Sequence, residues 1–192
     1  LDDILNIVSS SIGSLTNAGN IAKTFKSNRQ ISIDNATVGR YLDLFIDAFM
    51  LYKADRYDVK GRKYIGSPLK YYFSDVGLRN ARLQFRQMEE NHIMENIIYN
   101  ELICREFNVD VGVVEYFYRG EDGKSKRANL EIDFIANKGS QRYYIQSALT
   151  VSDKDKREQK IRSLNRVGDS FKKVVVVKDN IIPWHDENGI YY

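Results

Sequence analysis

Two short segments of this chain bring a carboxylate and a carboxamide face to face. Leu130-Glu131-Ile132-Asp133-Phe134-Ile135-Ala136 and Tyr143-Tyr144-Ile145-Gln146-Ser147-Ala148 both read with strand periodicity. With Lys138 to Gln141 as the connection they form a hairpin. Asp133 then faces Gln146 across the ladder, and Ala148 lies on the same face two residues on. An acid on one strand opposite an oxygen donor on the next is the beginning of a divalent-cation site. Hard cations prefer anionic oxygens, and Gln146 supplies an amide oxygen without charge. Phosphodiester hydrolysis would also want a cation to orient water and stabilise developing charge, which Ala148 does not provide. The geometry suits the chemistry, but the residue types do not.

Other reactive residues offer less. His92 and His185 are far apart in sequence and lack the Cys or carboxylate spacing of a zinc site. Cys104, among Leu102, Ile103 and Phe107, reads as a small buried core residue rather than a nucleophile. Ser9-Ser10-Ser11 has no glycine-flanked elbow. The 13 tyrosines fall mostly at strand positions, where β-propensity explains them. With one cysteine there is no internal disulfide, and no apolar run reaches the ~20 residues that cross a bilayer. A hydrophobic fraction of 43% is ample for a core. The expectation is a cytoplasmic protein without a membrane partner.

Charge divides the chain. Residues 1–88 carry a net +5 and no glutamate, whereas 89–192 carry −2. This predicts two domains, 1–82 and 83–192. In the first, apolar residues at helical spacing predict helices over Asp2 to Ser11, Asn17 to Phe25 and Asp34 to Phe49, with Asn17 and Asp34 as N-caps. Leu51 to Asp58 alternates, Lys60-Gly61-Arg62 turns, and Tyr71-Tyr72-Phe73 returns. Three helices and a basic hairpin are the order of a winged helix-turn-helix. Arg40 on the third helix and Lys53, Arg56, Lys60, Arg62, Lys63 and Lys70 on the hairpin are the candidate nucleic-acid contacts, chiefly to backbone phosphates. Packing against protein is the plainer use of the same domain.

The second domain opens with a helix over Met88 to Phe107, whose apolar face is Ile93, Ile97, Ile98, Leu102 and Phe107. A strand over Val111 to Tyr118, a polar turn at Gly120 to Lys126 and the Asp133 hairpin follow. Ser152-Asp153 caps a charged helix from Lys154 to Asn165, and Lys173 to Lys178 is a buried strand. The order predicts α/β/α layers around a mixed sheet.

At several points the sequence resembles one family. Asp34 to Phe49, Tyr71 to Leu78, Glu95-Asn96-Ile97-Ile98-Tyr99-Asn100-Glu101-Leu102, Glu131 to Ala136, Tyr144-Ile145-Gln146, Lys156-Arg157-Glu158 and Phe171 to Val174 look like the C-terminal region of archaeal-type AAA+ ATPases found widely in bacteria, a domain of unknown function. The resemblance implies an N-terminal winged helix followed by a restriction-endonuclease-like domain, α/β in class and α+β overall. It also implies an ATPase module before residue 1 as partner, with ATP bound there. This chain holds no Gly-x-x-x-x-Gly-Lys-Ser/Thr to cradle a triphosphate.

Such nuclease-like domains hold metal with Asp and Glu-x-Lys, in the PD-(D/E)XK manner. Here Asp133 and Gln146 occupy the catalytic positions and Ala148 the lysine position, so the resemblance implies a degenerate, inactive site on an accessory region that binds nucleic acid. No cofactor is expected, or Mg²⁺ if the site works. A second carboxylate would come from Glu95, Glu101 or Glu131 beside Asp133, and a migrated lysine from Lys154, Lys156 or Lys160. For each of these a solvated helix face or strand edge is the simpler role. The competing classes are an active metal-dependent nuclease and a protein-interaction module for the ATPase; DNA, RNA and protein partners stay open.

Overall fold

Three helices open the chain because each repeats apolar residues on one side. In the computed structural model, which describes every residue except Glu121 and Asp122 of the expected polar turn, α1 spans Asp2–Ser10 and buries Ile4, Leu5, Ile7 and Val8. α2, Ala18–Arg29, starts where Asn17 accepts from Asn20 N at 2.8 Å. α3, Asn35–Asp47, starts where Asp34 accepts from Ala36 N at 3.0 Å, and buries Val38, Leu42 and Phe45. It ends two residues before the expected Phe49, which takes a positive φ of 54° and is exposed. Both caps satisfy amides that the first turn leaves without partners.

A hairpin follows, β1 over Leu51–Asp58 and β2 over Lys63–Phe73. β2 is longer than the three residues expected. Between α1 and α2, Thr16 exchanges both backbone hydrogen bonds with Leu69, each 2.8 Å. A short helix, α4 (Val76–Arg82), is capped by Asp75, which accepts from Gly77 N at 2.6 Å. α5 covers Glu90–Cys104, then β3 Asn108–Arg119, β4 Ser125–Lys138 and β5 Gln141–Ala148. α6 covers Lys154–Ile161, a 3-10 turn Leu164–Arg166, and β6 Lys172–Val177.

The strand order is β2-β1-β3-β4-β5-β6. β3 to β5 pair antiparallel, while β1 with β3 and β5 with β6 pair parallel, so the six-stranded sheet is mixed. Internal packing divides the chain into two units, Leu1–Ala54 with Gly66–Asn100, and Asp55–Ile65 with Glu101–Tyr192. No single cut in sequence separates them. The hairpin base belongs with the helices, whereas Arg56, Tyr57 and Asp58 extend the second unit's sheet by pairing with Val111, Gly112 and Val113.

The first core joins Ile4, Val8, Ile21, Val38, Leu42, Phe45, Leu51 and Phe73. The second joins Val114, Ile132, Ile135, Tyr144, Ile161, Leu164 and Val175. Three expectations need correction. The α5 surface that goes inside is Glu95, Asn96, Tyr99 and Leu102, while Ile97 is exposed. Asn96 explains this: its Oδ1 accepts from Phe73 N at 2.8 Å and its Nδ2 donates to Phe73 O at 2.7 Å, so two buried backbone groups are satisfied by a polar helix face. Cys104, in the last turn of α5, is exposed and not a core residue. In β6 only Val175 is fully buried, because that strand ends the sheet and is covered less than a central one.

Candidate functional site

β4 and β5 close over the two-residue turn Gly139-Ser140, where Gly139 takes a φ of +59° that suits a tight hairpin turn. Lys138 pairs with Gln141 and Phe134 with Ile145, a register whose continuation sets Asp133 opposite Gln146. On the other side of β4 the ladder slips. Asp110 pairs with Ile135 and Gly112 with Ile132, so Val111 alone opposes Asp133 and Phe134. This is a β-bulge, and such bulges re-aim side chains. It places Ile132 and Ile135, an odd number of residues apart, in one apolar cluster. Gly112 is needed opposite it, since a Cβ there would stand 2.8 Å from Ile132 Cβ and 3.1 Å from Ile135 Cγ1.

Asp133 is 5% exposed. Its Oδ2 accepts from Ser147 N and Ser147 Oγ, both at 2.8 Å, and Lys160 Nζ stands 3.3 Å from the same oxygen. Gln146 is equally buried and fully engaged. Its Nε2 donates to Ser163 Oγ at 2.7 Å and to Glu131 O at 2.8 Å, while its Oε1 accepts from Asp133 N at 3.4 Å. A cavity of about 310 Å³ opens beside them, and α6 supplies Lys156, Gln159 and Lys160 to its wall. These, with Ser163, fall at i, i+3, i+4 and i+7, a single helical stripe.

The arrangement gathers Asp133, Gln146 and Glu131 with two of the three lysines named from sequence; Lys154 is elsewhere, 3.8 Å from Glu158. Ala148 packs against the apolar cluster that holds Val175. The two helix carboxylates are engaged separately. Glu95 Oε1 accepts from Lys70 Nζ at 2.9 Å and Tyr72 Oη at 2.6 Å, and Glu101 pairs with Arg105 one turn on. Among the described residues no three His, Cys, Asp or Glu side chains gather as a metal would require. A divalent ion therefore does not fit this donor set: Asp133 already holds an ammonium, and the amide oxygen of Gln146 faces a backbone N–H. Ser147 and Ser163 were not singled out from sequence. The stripe spacing was a readable signal for Ser163, whereas nothing local marked Ser147.

Among the candidate nucleic-acid contacts, Arg40, Lys53, Lys60, Arg62 and Lys63 are exposed and Arg56 is half-buried. The hairpin tip is built by Asp58, whose Oδ1 accepts from Lys60 N at 3.2 Å and Gly61 N at 2.9 Å. Lys70 is a correction. It is 3% exposed and belongs to the Glu95 ion pair, because β2 turns that residue inward.

Two family matches cover the chain: residues 1–89 match "Domain of unknown function (DUF8612)" and residues 90–191 match "Domain of unknown function (DUF4143)". A Haemophilus influenzae relative, described as "Uncharacterized protein", is 30% identical over 176 residues, 92% of this chain. The chain spans 40% of that curated relative's length. No solved structure matches. No described helix is long and apolar enough to cross a membrane. With the Asp133–Gln146 hairpin, α6 and β6 all inside the matched residues, the chain belongs to the DUF4143 family.

Proposed function

We propose that this chain is the C-terminal accessory region of an AAA+ ATPase, a winged helix followed by a restriction-endonuclease-like domain that binds nucleic acid without cutting it. The observation that carries the reading is the Lys160–Asp133 pair. A nuclease of this kind concentrates negative charge to hold a metal; here one carboxylate is neutralised internally and the neighbouring position is an uncharged, fully engaged amide. The helix order, the Thr16–Leu69 bridge between α1 and α2, and the hairpin support the winged-helix assignment. Exposed Lys60, Arg62 and Lys63 on one tip support phosphate contact. The relative's greater length leaves room for an ATPase module.

Binding is tested with labelled duplex DNA at rising salt. Lys60→Ala/Arg62→Ala/Lys63→Ala should lower the slope of log affinity against log salt by about 2.7, at about 0.9 for each phosphate no longer neutralised. Catalysis is tested by incubating the unmodified chain with plasmid and Mg²⁺ or Mn²⁺, which should leave it intact. Gln146→Glu should raise metal affinity, and Gln146→Glu with Ala148→Lys should be needed for appreciable cleavage. Cutting by the unmodified chain that Asp133→Ala and Lys160→Ala each abolish would overturn the reading and make Lys160 the migrated lysine.

A further inference from the structure

α3 ends in a way that its own stability does not explain. Past the cap at Ala48, Phe49 N donates to Ile46 O and Met50 N to Phe45 O, both at 2.9 Å. This pair of bonds needs the first residue beyond the cap in the left-handed region, which glycine enters without steric conflict. The chain places Phe49 there, at a φ of 54°. Met50 packs against the same core as Phe45, as the motif favours, and the Phe49 side chain is left 79% exposed. Its backbone is held in place: Ser74 Oγ donates to Phe49 O at 2.7 Å and Ser74 N to Met50 O at 3.1 Å. A bulky side chain thus takes a strained backbone and buries little in return.

Two further choices in the last turns work against the helix. Asp43 and Asp47 are exposed like charges four residues apart. Asp47 also lies in the final turn, which has no basic residue and where carbonyls without partners already carry negative potential. Neither carboxylate has an ion pair or hydrogen bond among the described residues. No cation occurs between Arg40 and Lys53, and Arg40 reaches back to Thr37 Oγ1 at 3.0 Å. Leu44, between the two acids, is 55% exposed. Asp75 follows Ser74 in the chain and adds an exposed carboxylate beside the Phe49 backbone. Local choices that weaken an element without a packing gain mark a surface with another use.

We infer that the C-terminal end of α3 docks a basic amphipathic segment of a protein partner, with Phe49 and Leu44 receiving its apolar side chains and Asp43 and Asp47 its lysines or arginines. Charge complementarity selects this occupant. The phosphates of a nucleic acid or of an anionic membrane would meet carboxylates that have no cation beside them, and so would an acidic peptide. A purely apolar segment would strip water from both carboxylates without pairing them. An exposed aromatic ring is the anchor that protein interfaces favour. The nucleic-acid reading uses the hairpin tip and not this face, so the inference goes beyond it and does not depend on it.

The test measures anisotropy of a labelled leucine–lysine peptide of roughly 18 residues, patterned as a helix with one apolar and one cationic face, with the full chain at several salt concentrations. Phe49→Gly should weaken binding at least about tenfold and raise the Tm by about 2–4 °C, because glycine enters the left-handed region without strain. Opposite signs in the two readouts separate docking from a structural role. Asp43→Asn/Asp47→Asn should leave the Tm equal or higher, weaken binding at low salt and remove most of its salt dependence. A lowered Tm in Phe49→Gly overturns the inference, since the ring would then serve its own fold. Undiminished binding by that variant overturns it too, as does equal binding of a leucine–glutamate peptide of the same pattern, or no binding of the lysine peptide at low salt. If labelled duplex DNA loses affinity on Phe49→Gly and gains it on Asp43→Asn/Asp47→Asn, the face belongs to nucleic acid and the protein partner falls. Lys60→Ala/Arg62→Ala/Lys63→Ala should leave peptide binding unchanged, so this inference and the nucleic-acid reading fail separately.

Discussion

Two lysine–carboxylate pairs, one in each unit, look alike in chemistry and differ in what surrounds them. In the helical unit Lys70 and Glu95 meet at 2.9 Å with side chains 4% and 11% exposed, and Tyr72 Oη donates to the same carboxylate oxygen. In the sheet unit Lys160 and Asp133 meet at 3.3 Å with side chains 38% and 7% exposed, beside a cavity. The first pair is sealed and ties α5 to β2. In the second the carboxylate is buried, but its cation comes from a half-solvated helix stripe and has room to be displaced. Burial of both partners makes an ion pair structural, because removing one leaves an uncompensated charge. A pair with one partner in water can exchange it.

The largest expected effect tests the sealed pair. Glu95→Ala should cost about 3–5 kcal/mol in urea unfolding, since it removes the buried carboxylate that accepts from the Lys70 ammonium and Tyr72 Oη. A loss under about 1 kcal/mol would mean that water reaches that site, and the contrast between the two pairs would collapse. Next is the bulge that aims Asp133. Gly112→Ala should cost about 1–3 kcal/mol through its clash with Ile132 and Ile135, with part of the loss returned by Ile135→Val. If it is neutral, the bulge is not a fixed feature of the ladder.

Lys160→Ala sharpens the comparison from the open side. It should cost about 1 kcal/mol or less, because the ammonium is 38% exposed and Ser147 still donates twice to Asp133. A cost equal to that of Glu95→Ala would reclassify the pocket as sealed structure.

The smallest effect concerns a third carboxylate, Asp110, on the strand opposite the bulge. Burial pushes its pKa up, against the hydrogen bond from Tyr64 Oη at 3.4 Å. A carboxyl whose folded pKa is raised favours the folded state while protonated, and that contribution is lost as pH rises through the folded value. Asp110→Asn should therefore raise Tm by about 1–2 °C at neutral pH, with the gain vanishing below about pH 4, where the unfolded carboxyl also titrates. A gain that persists in acid would mean that something other than charge is relieved.

Much of the site was readable before any coordinates. Strand alternation aligned Asp133 with Gln146, and Asn17, Asp34 and Asp153 were legible as caps because each effect operates within a few residues. Three features were not. Sequence could not choose among Lys154, Lys156 and Lys160, since that depends on the rotation of α6 against β4 and β5. It assigned Lys70 to a basic hairpin surface, because only the packing of α5 on β2 reveals a buried acid 25 positions away. It gave no sign of the bulge, which arises from how β3 aligns with β4.

The sequence by itself determined that this protein has a hairpin with a carboxylate facing an uncharged amide, without lysine at the neighbouring position. Period and residue type are local properties, and they suffice for that. Tertiary structure alone decided that Lys160 stands beside Asp133, that Ser147 and Ser163 hydrogen-bond Asp133 and Gln146, and that Arg162 and Arg166 share one tyrosine. Each depends on the placement of α6 over the sheet, and that placement is fixed by where Ile161, Leu164 and Val175 can bury apolar surface together.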